Sequence, residues 1–281
     1  MTQATNDLAA GLHAMWAAVA AGWGEHADEV DQRSSDLTEG LLDAAGISRG
    51  ARVLELACGP GGLGMAAAER VGPDGEVVLS DVAAEMTAIA ARRAAERGLA
   101  NVTTRELDLE RIAEPDARYD AVLCREGLMF ALEPARAVAE IRRVLRPEGR
   151  FALAVWGPRE RNPWLGIVLD AVGAQLGAPV PPPGIPGPFA LGDPAQLRDL
   201  VGAEVDEVSV PLHADSFDAW WSRTTALAGP LSKMLAVQPP DTLDAIRARA
   251  REAARAYETD DGVHFPGVSL LASGRGRRRT A

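Results

Sequence analysis

The chain has 281 residues, 47% of them hydrophobic, and a formal net charge of −11. That size suits one large α/β domain with additions or two small domains, with enough apolar sequence for a sizeable core. The acidic balance argues against a nucleic-acid partner, because phosphate binding draws on clustered Lys and Arg.

Apolar residues at helical spacing predict a first helix near 7–22, with Leu8, Leu12, Met15, Trp16 and Val19 on one side. This opening stretch has no basic leader and acids follow it, so neither a signal peptide nor a membrane span is expected, and a cytoplasmic location follows. A second helix is predicted over 36–45, ending at Gly46. The strand RVLELA leads into a glycine turn and a helix over 63–70. PDGEVVLSD reads as turn, strand and terminal acid; a helix over 83–97 stops at Gly98; NVTTRELD is a strand ending at Asp108. YDAVLCR is a strand, 134–145 a helix with Val138, Ile141, Val144 and Leu145 on one face, and RPEGRFALAVWG a turn and a long buried strand.

After Trp156 the pattern loosens. A helix is predicted over 165–176. The loop GAPVPPPGIPGPFALGDP carries six prolines before Pro194, so it can be neither helix nor central strand. It is either a stiff surface connection or a wall over a site. EVDEVSVPL predicts a strand, 217–257 two or three helices broken at Gly229-Pro230 and Pro239-Pro240, and GVSLLASG a closing strand. The tail GRGRRRTA reads as a solvated end. Cys58 and Cys124 end apolar runs and read as buried thiols; no CxxC or H-E-x-x-H spacing is present, and no metal is expected.

Strands alternating with helices predict an α/β, doubly wound, Rossmann-like and mostly parallel sheet. Ligands in such sheets sit beyond the carboxyl ends of the strands. The residues there are Gly59, Gly61, Asp81, Asp108, Arg125 and Glu126. GPGGLG, residues 59–64, matches G-x-G-x-x-G, and Asp81 lies where a ribose acid belongs. Alone, that pattern would suggest an NAD(P)-dependent oxidoreductase. A diphosphate, however, wants helix N-terminal amides with few carboxylates nearby, and Glu55, Asp81 and Asp108 would all point toward one crevice in such a sheet. Three acids suit a cation better. S-adenosylmethionine offers a sulfonium, an ammonium, a ribose diol and an adenine, without phosphate. Glycines let the backbone approach it. Asp81 would accept the ribose hydroxyls, Asp108 the adenine amino group, and Glu55 would balance the ammonium. The structural alternatives are a helix N-cap for Asp108 and a turn role for Asp81. No Tyr-x-x-x-Lys pair accompanies the glycine turn: the chain has Tyr119, Tyr257 and one lysine, Lys233.

VLELACGPGG, VVLSDVAAEM, LDL at 107–109, YDAVLCREGLMF and EIRRVLRPEGRFALAVWGPRERNPW together resemble the class I S-adenosylmethionine-dependent methyltransferases, in particular the ubiquinone/menaquinone-biosynthesis-like small-molecule group. The resemblance covers about residues 50–160 well. It implies a seven-stranded sheet whose last strand is antiparallel, with helical N-terminal and C-terminal lid additions. It divides the chain into an N-terminal lid (1–48), a cofactor-binding core (49–160), and a remainder (161–281) carrying the proline-rich loop and a helical substrate lid. The implied cofactor set is Glu55, Ala57, Gly59, Gly61, Asp81, Val82, Met86, Asp108, Leu109, Cys124 and Arg125. Two departures stand out: Ala57 replaces the first glycine of the usual turn, and Glu148 a glycine of the usual Pro-Gly-Gly.

The implied activity is methyl transfer to an oxygen or carbon of a small, aromatic or hydrophobic metabolite. Such a displacement mainly needs the acceptor held about 3 Å from the methyl, with water excluded. Glu126, His13 and His26 are the candidate bases, ahead of His213 and His264. Arg125 could pair with the cofactor carboxylate or an anionic substrate, or be solvated. Trp16, Trp23, Trp164, Trp220, Trp221 and Phe189 fall in the lid and either ring the acceptor or pack the helices. The partner is then a small-molecule acceptor, not nucleic acid or membrane, and a homodimer is compatible with the sequence. The competing readings are the oxidoreductase and a non-catalytic cofactor-binding partner protein.

Overall fold

A computed structural model describes residues 3–182 and 184–276. Arg277, Arg278 and Arg279 of the basic tail lie outside the described residues. Three helices open the chain: α1 (Gln3–Glu25), α2 (Ala27–Arg33) and α3 (Ser35–Ala44). α2 was invisible to periodicity, since ADEVDQR has only Ala27 and Val30 as apolar residues.

The alternating core follows: β1 (Arg52–Glu55), α4 (Gly62–Val71), β2 (Glu76–Asp81), α5 (Ala84–Glu96), β3 (Val102–Glu106), β4 (Tyr119–Arg125), α6 (Pro134–Val144) and β5 (Leu145–Trp156). Next come α7 (Pro163–Leu176), α8 (Pro194–Val201), β6 (Val205–Ser209), β7 (Leu212–Ala214), α9 (Phe217–Leu227), α10 (Gly229–Ala236), α11 (Pro240–Ala254), β8 (Glu258–Thr259), β9 (Gly262–Phe265) and β10 (Val268–Arg275). β3 stops two residues short of Asp108, and α8 and the small strands β7, β8 and β9 add to the predicted elements.

Seven strands form one sheet in the order β3-β2-β1-β4-β5-β10-β6. Only β10 runs antiparallel to its neighbours, pairing Leu271 with Ala154 of β5 and with Asp206 of β6. Neighbouring residues of one strand feed opposite faces. Leu54, Val78 and Val122 join the core beneath α6 and α8, while Val53, Val77 and Leu123 join the core with α3 and α4. Both faces are covered, which is why these strands read as unbroken apolar runs.

A third core unites α7 with α9, α10, α11 and the three-stranded sheet β7-β9-β8, around Trp164, Phe217, Trp220 and Phe265. α1 packs on α5, α9 and α10. Its apolar stripe divides accordingly: Met15 and Val19 are buried, and Leu8 is exposed. Among the described residues, no helix is long and apolar enough to cross a membrane.

The N-terminal helices are bound to the sheet by a charge cluster. Arg93 of α5 is buried; it donates to the Pro60 carbonyl (2.9 Å), to Asp28 (2.7 Å) and to Asp31 (2.9 Å). Arg125 at the end of β4 donates to Asp31 (3.1 Å) and to the Thr38 hydroxyl (2.9 Å). Hydrogen bonds to charged groups contribute about 1.5–3 kcal/mol each when shielded. Arg93→Ala is expected to lower stability by about that amount, read as a fall in the urea midpoint, and to speed hydrogen exchange in α2 more than in β4.

Candidate active site

The carboxyl ends of β1, β2 and β4, the segment after β3, α1, the proline-rich loop and α10 enclose a cavity of about 480 Å³. Glu55, Ala57, Gly59, Asp81, Val82, Met86, Asp108, Leu109 and Arg125 line it, as do the candidate bases Glu126 and His13. Of the implied cofactor residues and the three leading candidate bases, three fall elsewhere. Gly61 and Cys124 are not among the lining residues, and neither is His26, whose Nδ1 lies 3.3 Å from Glu29 at the surface.

The four glycines of the turn have different work. Gly59 borders the cavity, and a Cβ there would meet nothing within 4 Å, so its missing side chain leaves ligand space. Gly61 takes φ +87° to start α4, and a Cβ would press on Leu79 at 2.9 Å. At Gly62 a Cβ would overlap the Asp31 carboxylate, 1.7 Å away, and at Gly64 it would meet Leu79 at 2.0 Å and Glu55 Oε2 at 2.4 Å. Three of the four are therefore demanded by the protein's own packing.

Glu55 accepts a hydrogen bond from the Gly64 amide at 2.9 Å, satisfying a free N–H in the first turn of α4. Burial nonetheless dominates and pushes its carboxyl up to about 8, against the opposing pull of Arg125 and the Gly64 amide. Asp81 ends β2 and accepts from the Gly59 and Ala83 amides, both at 3.0 Å, so it ties the glycine turn to the neighbouring strand. Burial raises its carboxyl too, while the Ala83, Gly59 and Val82 amides work in the other direction. Two of the roughly four acceptor directions of that carboxylate are used. Asp108 accepts from the Glu110 amide at 2.8 Å and makes a tight turn; it caps no helix.

Glu126 follows β4 with φ +59°, a left-handed backbone rare for a side chain of this kind. The Ser269 hydroxyl donates to its Oε1 at 2.8 Å. Ala57 is likewise left-handed, at φ +50°. Cys124 is fully buried beside Gly127, and burial pushes its thiol up to about 12.

Much of the rest of the cavity lining is apolar. Leu12, Met15, Trp16, Phe130, Ile185 and Leu231 belong to it, and Trp16 meets Phe130 edge-on with centroids 4.8 Å apart. The proline-rich loop is a wall of the site, through Pro181, Pro182, Pro186 and Pro188. Of the six predicted lid aromatics, Trp16 and Trp23 line the cavity; Trp164 and Trp220 are buried in the third core, with Trp221 and Phe189 packed against it. Trp156 and Phe130 line the cavity and escaped the candidate set. The strand-end rule could have found Trp156, the last residue of β5. Its indole N–H is buried without a partner.

The sheet order with its antiparallel seventh member, and acids at successive strand ends, define the fold of the class I S-adenosylmethionine-dependent methyltransferases. YcgJ of Bacillus subtilis has this fold: TM-score 0.59 at 20% identity, covering 85% of this chain and 97% of that one. A family model described as a methyltransferase domain matches residues 53–149. Nocamycin O-methyltransferase of Saccharothrix syringae is 33% identical over 172 residues, 58% of this chain and 61% of that protein. A ubiquinone/menaquinone biosynthesis C-methyltransferase of Azotobacter vinelandii is 34% identical over 131 residues, 46% and 51% of the two chains. The chain thus spans about half to three-fifths of the length of these relatives.

Glu55 gives a pH test of the site. Its folded value, about 8, lies above the ordinary 4.5, so the fold favours the protonated form. The stability this contributes is fully present below about pH 4.5 and lost as pH rises through 8. The slope for one proton is at most about 1.4 kcal/mol per pH unit. Between pH 5 and 8, Glu55→Gln is expected to lose stability less steeply than wild type in parallel urea titrations.

Proposed function

We propose that the protein is an S-adenosylmethionine-dependent methyltransferase acting on an ionisable oxygen or carbon of a small hydrophobic metabolite. The observation that carries this reading is the meeting of Glu55, Asp81 and Asp108 in one cavity beside Gly59, where backbone is bare and space is open. A sulfonium and an ammonium are welcome among those carboxylates, and a diphosphate is not. Bound there, S-adenosylmethionine supplies a methyl group on an activated sulfur.

The chain's own residues bind, orient and exclude water. Asp81 holds the ribose diol with its two remaining acceptor directions, Asp108 accepts from the adenine amino group, and Met86, Val82 and Leu109 pack the base. Glu55 faces the ammonium, whose charge favours its ionised form, so binding near neutral pH releases a proton. The apolar part of the cavity takes the acceptor. There Trp156 donates to the acceptor oxygen through its unpartnered indole N–H. Glu126, anchored by Ser269 through one oxygen, takes the acceptor's proton with the other. Oxygen and carbon acceptors of the phenol or enol kind need the same deprotonation, and the two relatives, one named for O- and one for C-methylation, bracket that chemistry.

S-adenosylhomocysteine is expected to raise the melting temperature, and NADH to leave it unchanged; a shift with NADH alone would overturn the reading. Asp81→Ala should weaken S-adenosylhomocysteine by about 1–3 kcal/mol in calorimetry, through lost charge-assisted hydrogen bonds. Labelled methyl donor incubated with metabolite fractions identifies the acceptor. With that acceptor, Glu126→Gln should lower kcat by about 10²–10⁴-fold while leaving S-adenosylhomocysteine affinity near wild type.

A further inference from the structure

Outside the cavity, the three-stranded sheet gathers a second group of chemically active side chains. His213 of β7 and His264 of β9 are directly opposite each other in antiparallel register. Their ring centroids are 4.3 Å apart. Asp261, in the turn between β8 and β9, completes the group: its carboxylate lies 2.9 Å from His264 Nε2, and its carbonyl 3.3 Å from His213 Nε2. One ligand atom from each of the three residues can be chosen so that all lie within 4.8 Å of one another, and all three side chains are exposed. The Thr259 hydroxyl donates to Asp261 at 2.7 Å, and that bond together with His264 holds the carboxyl below its ordinary value.

We propose that His213, His264 and Asp261 form a binding site for a divalent transition-metal ion of the zinc, nickel or cobalt kind. Two imidazole nitrogens and one carboxylate oxygen are a donor set such ions favour. Magnesium and calcium, which want oxygen ligands throughout, are poor fits. The imidazoles bind as neutral donors through their lone pairs, the carboxylate binds ionised, and no redox step is involved. Three protein ligands leave a fourth position to water. Sequence spacing concealed the group, because the histidines are brought together across strands rather than along a helix.

The position in the chain gives the site a consequence. His213 precedes the inserted helices α9, α10 and α11, whereas Asp261 and His264 follow them. A metal ion there clasps the two ends of the insertion whose α10 walls the cavity. Arg223 of α9 donates to the His213 carbonyl at 2.7 Å and to Glu29 of α2 at 2.5 Å, so the clasped strand also reaches the N-terminal helices. Binding to the folded chain alone raises its stability by mass action.

Zinc chloride titrated calorimetrically into the metal-stripped full chain is expected to bind at one equivalent. His213→Ala and His264→Ala should each weaken it at least tenfold, Asp261→Asn measurably, and His26→Ala not at all. Cobalt should give a visible d–d band that the His213/His264 double variant lacks, and magnesium should not bind. Zinc should raise the melting temperature of wild type but not of the double variant, whose circular dichroism reports whether it is folded. No saturable zinc binding, or binding that survives in the folded double variant, would overturn the proposal. Neither result depends on the methyltransferase reading.

Discussion

The first turn of α4 is the constraint around which the rest is arranged. A carboxylate lies on each side of it: Glu55 rises from β1 to accept from the Gly64 amide, and Asp31 comes from α2 to rest against the Gly62 Cα. Both acids occupy the space that side chains at residues 62 and 64 would fill. The glycine-rich turn is therefore bare for two reasons. Gly59 is open to the cavity, whereas Gly62 and Gly64 are open to the protein's own carboxylates. Arg93 and Arg125 grip Asp31 from opposite sides, so the charge at the turn is balanced without drawing the N-terminal helices off it. A turn that in isolation would be floppy is fixed by β1, α2, α5 and β4 together.

That arrangement separates the cavity into two chemical regions. The strand ends supply carboxylates in fixed geometry, because each acid is tied to a backbone amide: Glu55 to Gly64, Asp81 to Gly59 and Ala83, Asp108 to Glu110. α1, the proline-rich loop and α10 supply mostly apolar lining, with His13 among it. Holding acids this deep is costly, and burial raises the carboxyls of both Glu55 and Asp81. At Glu55 a cationic ligand would offset that cost by replacing the proton. Ligand affinity and the stability of the fold are thus linked through that carboxyl group.

Much of this was legible because it is local. The strands of the parallel sheet are continuous apolar runs, and β4 begins and ends at the residues its composition marks, Tyr119 and Arg125. The rule that ligands gather at strand ends singled out Asp81, Asp108, Arg125 and Glu126, all of which line the cavity. It could not assign a face. Cys124 lies one residue before Arg125, yet it turns into the core beneath α6 while Arg125 reaches the cavity. Gly61 likewise does not line the cavity: its left-handed backbone starts α4, and it is Gly59 that borders the open space. α2 and the small sheet escaped because their stability is tertiary. α2 is held by Arg93, Arg125 and Arg223 rather than by an apolar stripe, and β7 meets β9 across a helical insertion. The buried arginine at 93 sits in an alanine-rich helix that gives no local hint of its partners.

The departure at Ala57 shows how far such compensation extends. A left-handed alanine costs about 1–2 kcal/mol relative to an ordinary backbone, and the usual glycine would avoid it. Its methyl also needs room, and that room exists only because residue 127 is glycine: a Cβ there would stand 2.4 Å from the Ala57 methyl and 3.0 Å from Cys124 Sγ. The residue before it, Glu126, carries the same left-handed strain. The ends of β1 and β4 are therefore fitted to each other, with strain on both sides of the cavity floor. Strain of this kind persists only where the surroundings over-determine the backbone. Here the surroundings are the Ser269 anchor on Glu126, the packed thiol of Cys124, and the turn pinned by Asp81. Held by Ser269 on this left-handed backbone, Glu126 lines the cavity beyond the strand ends.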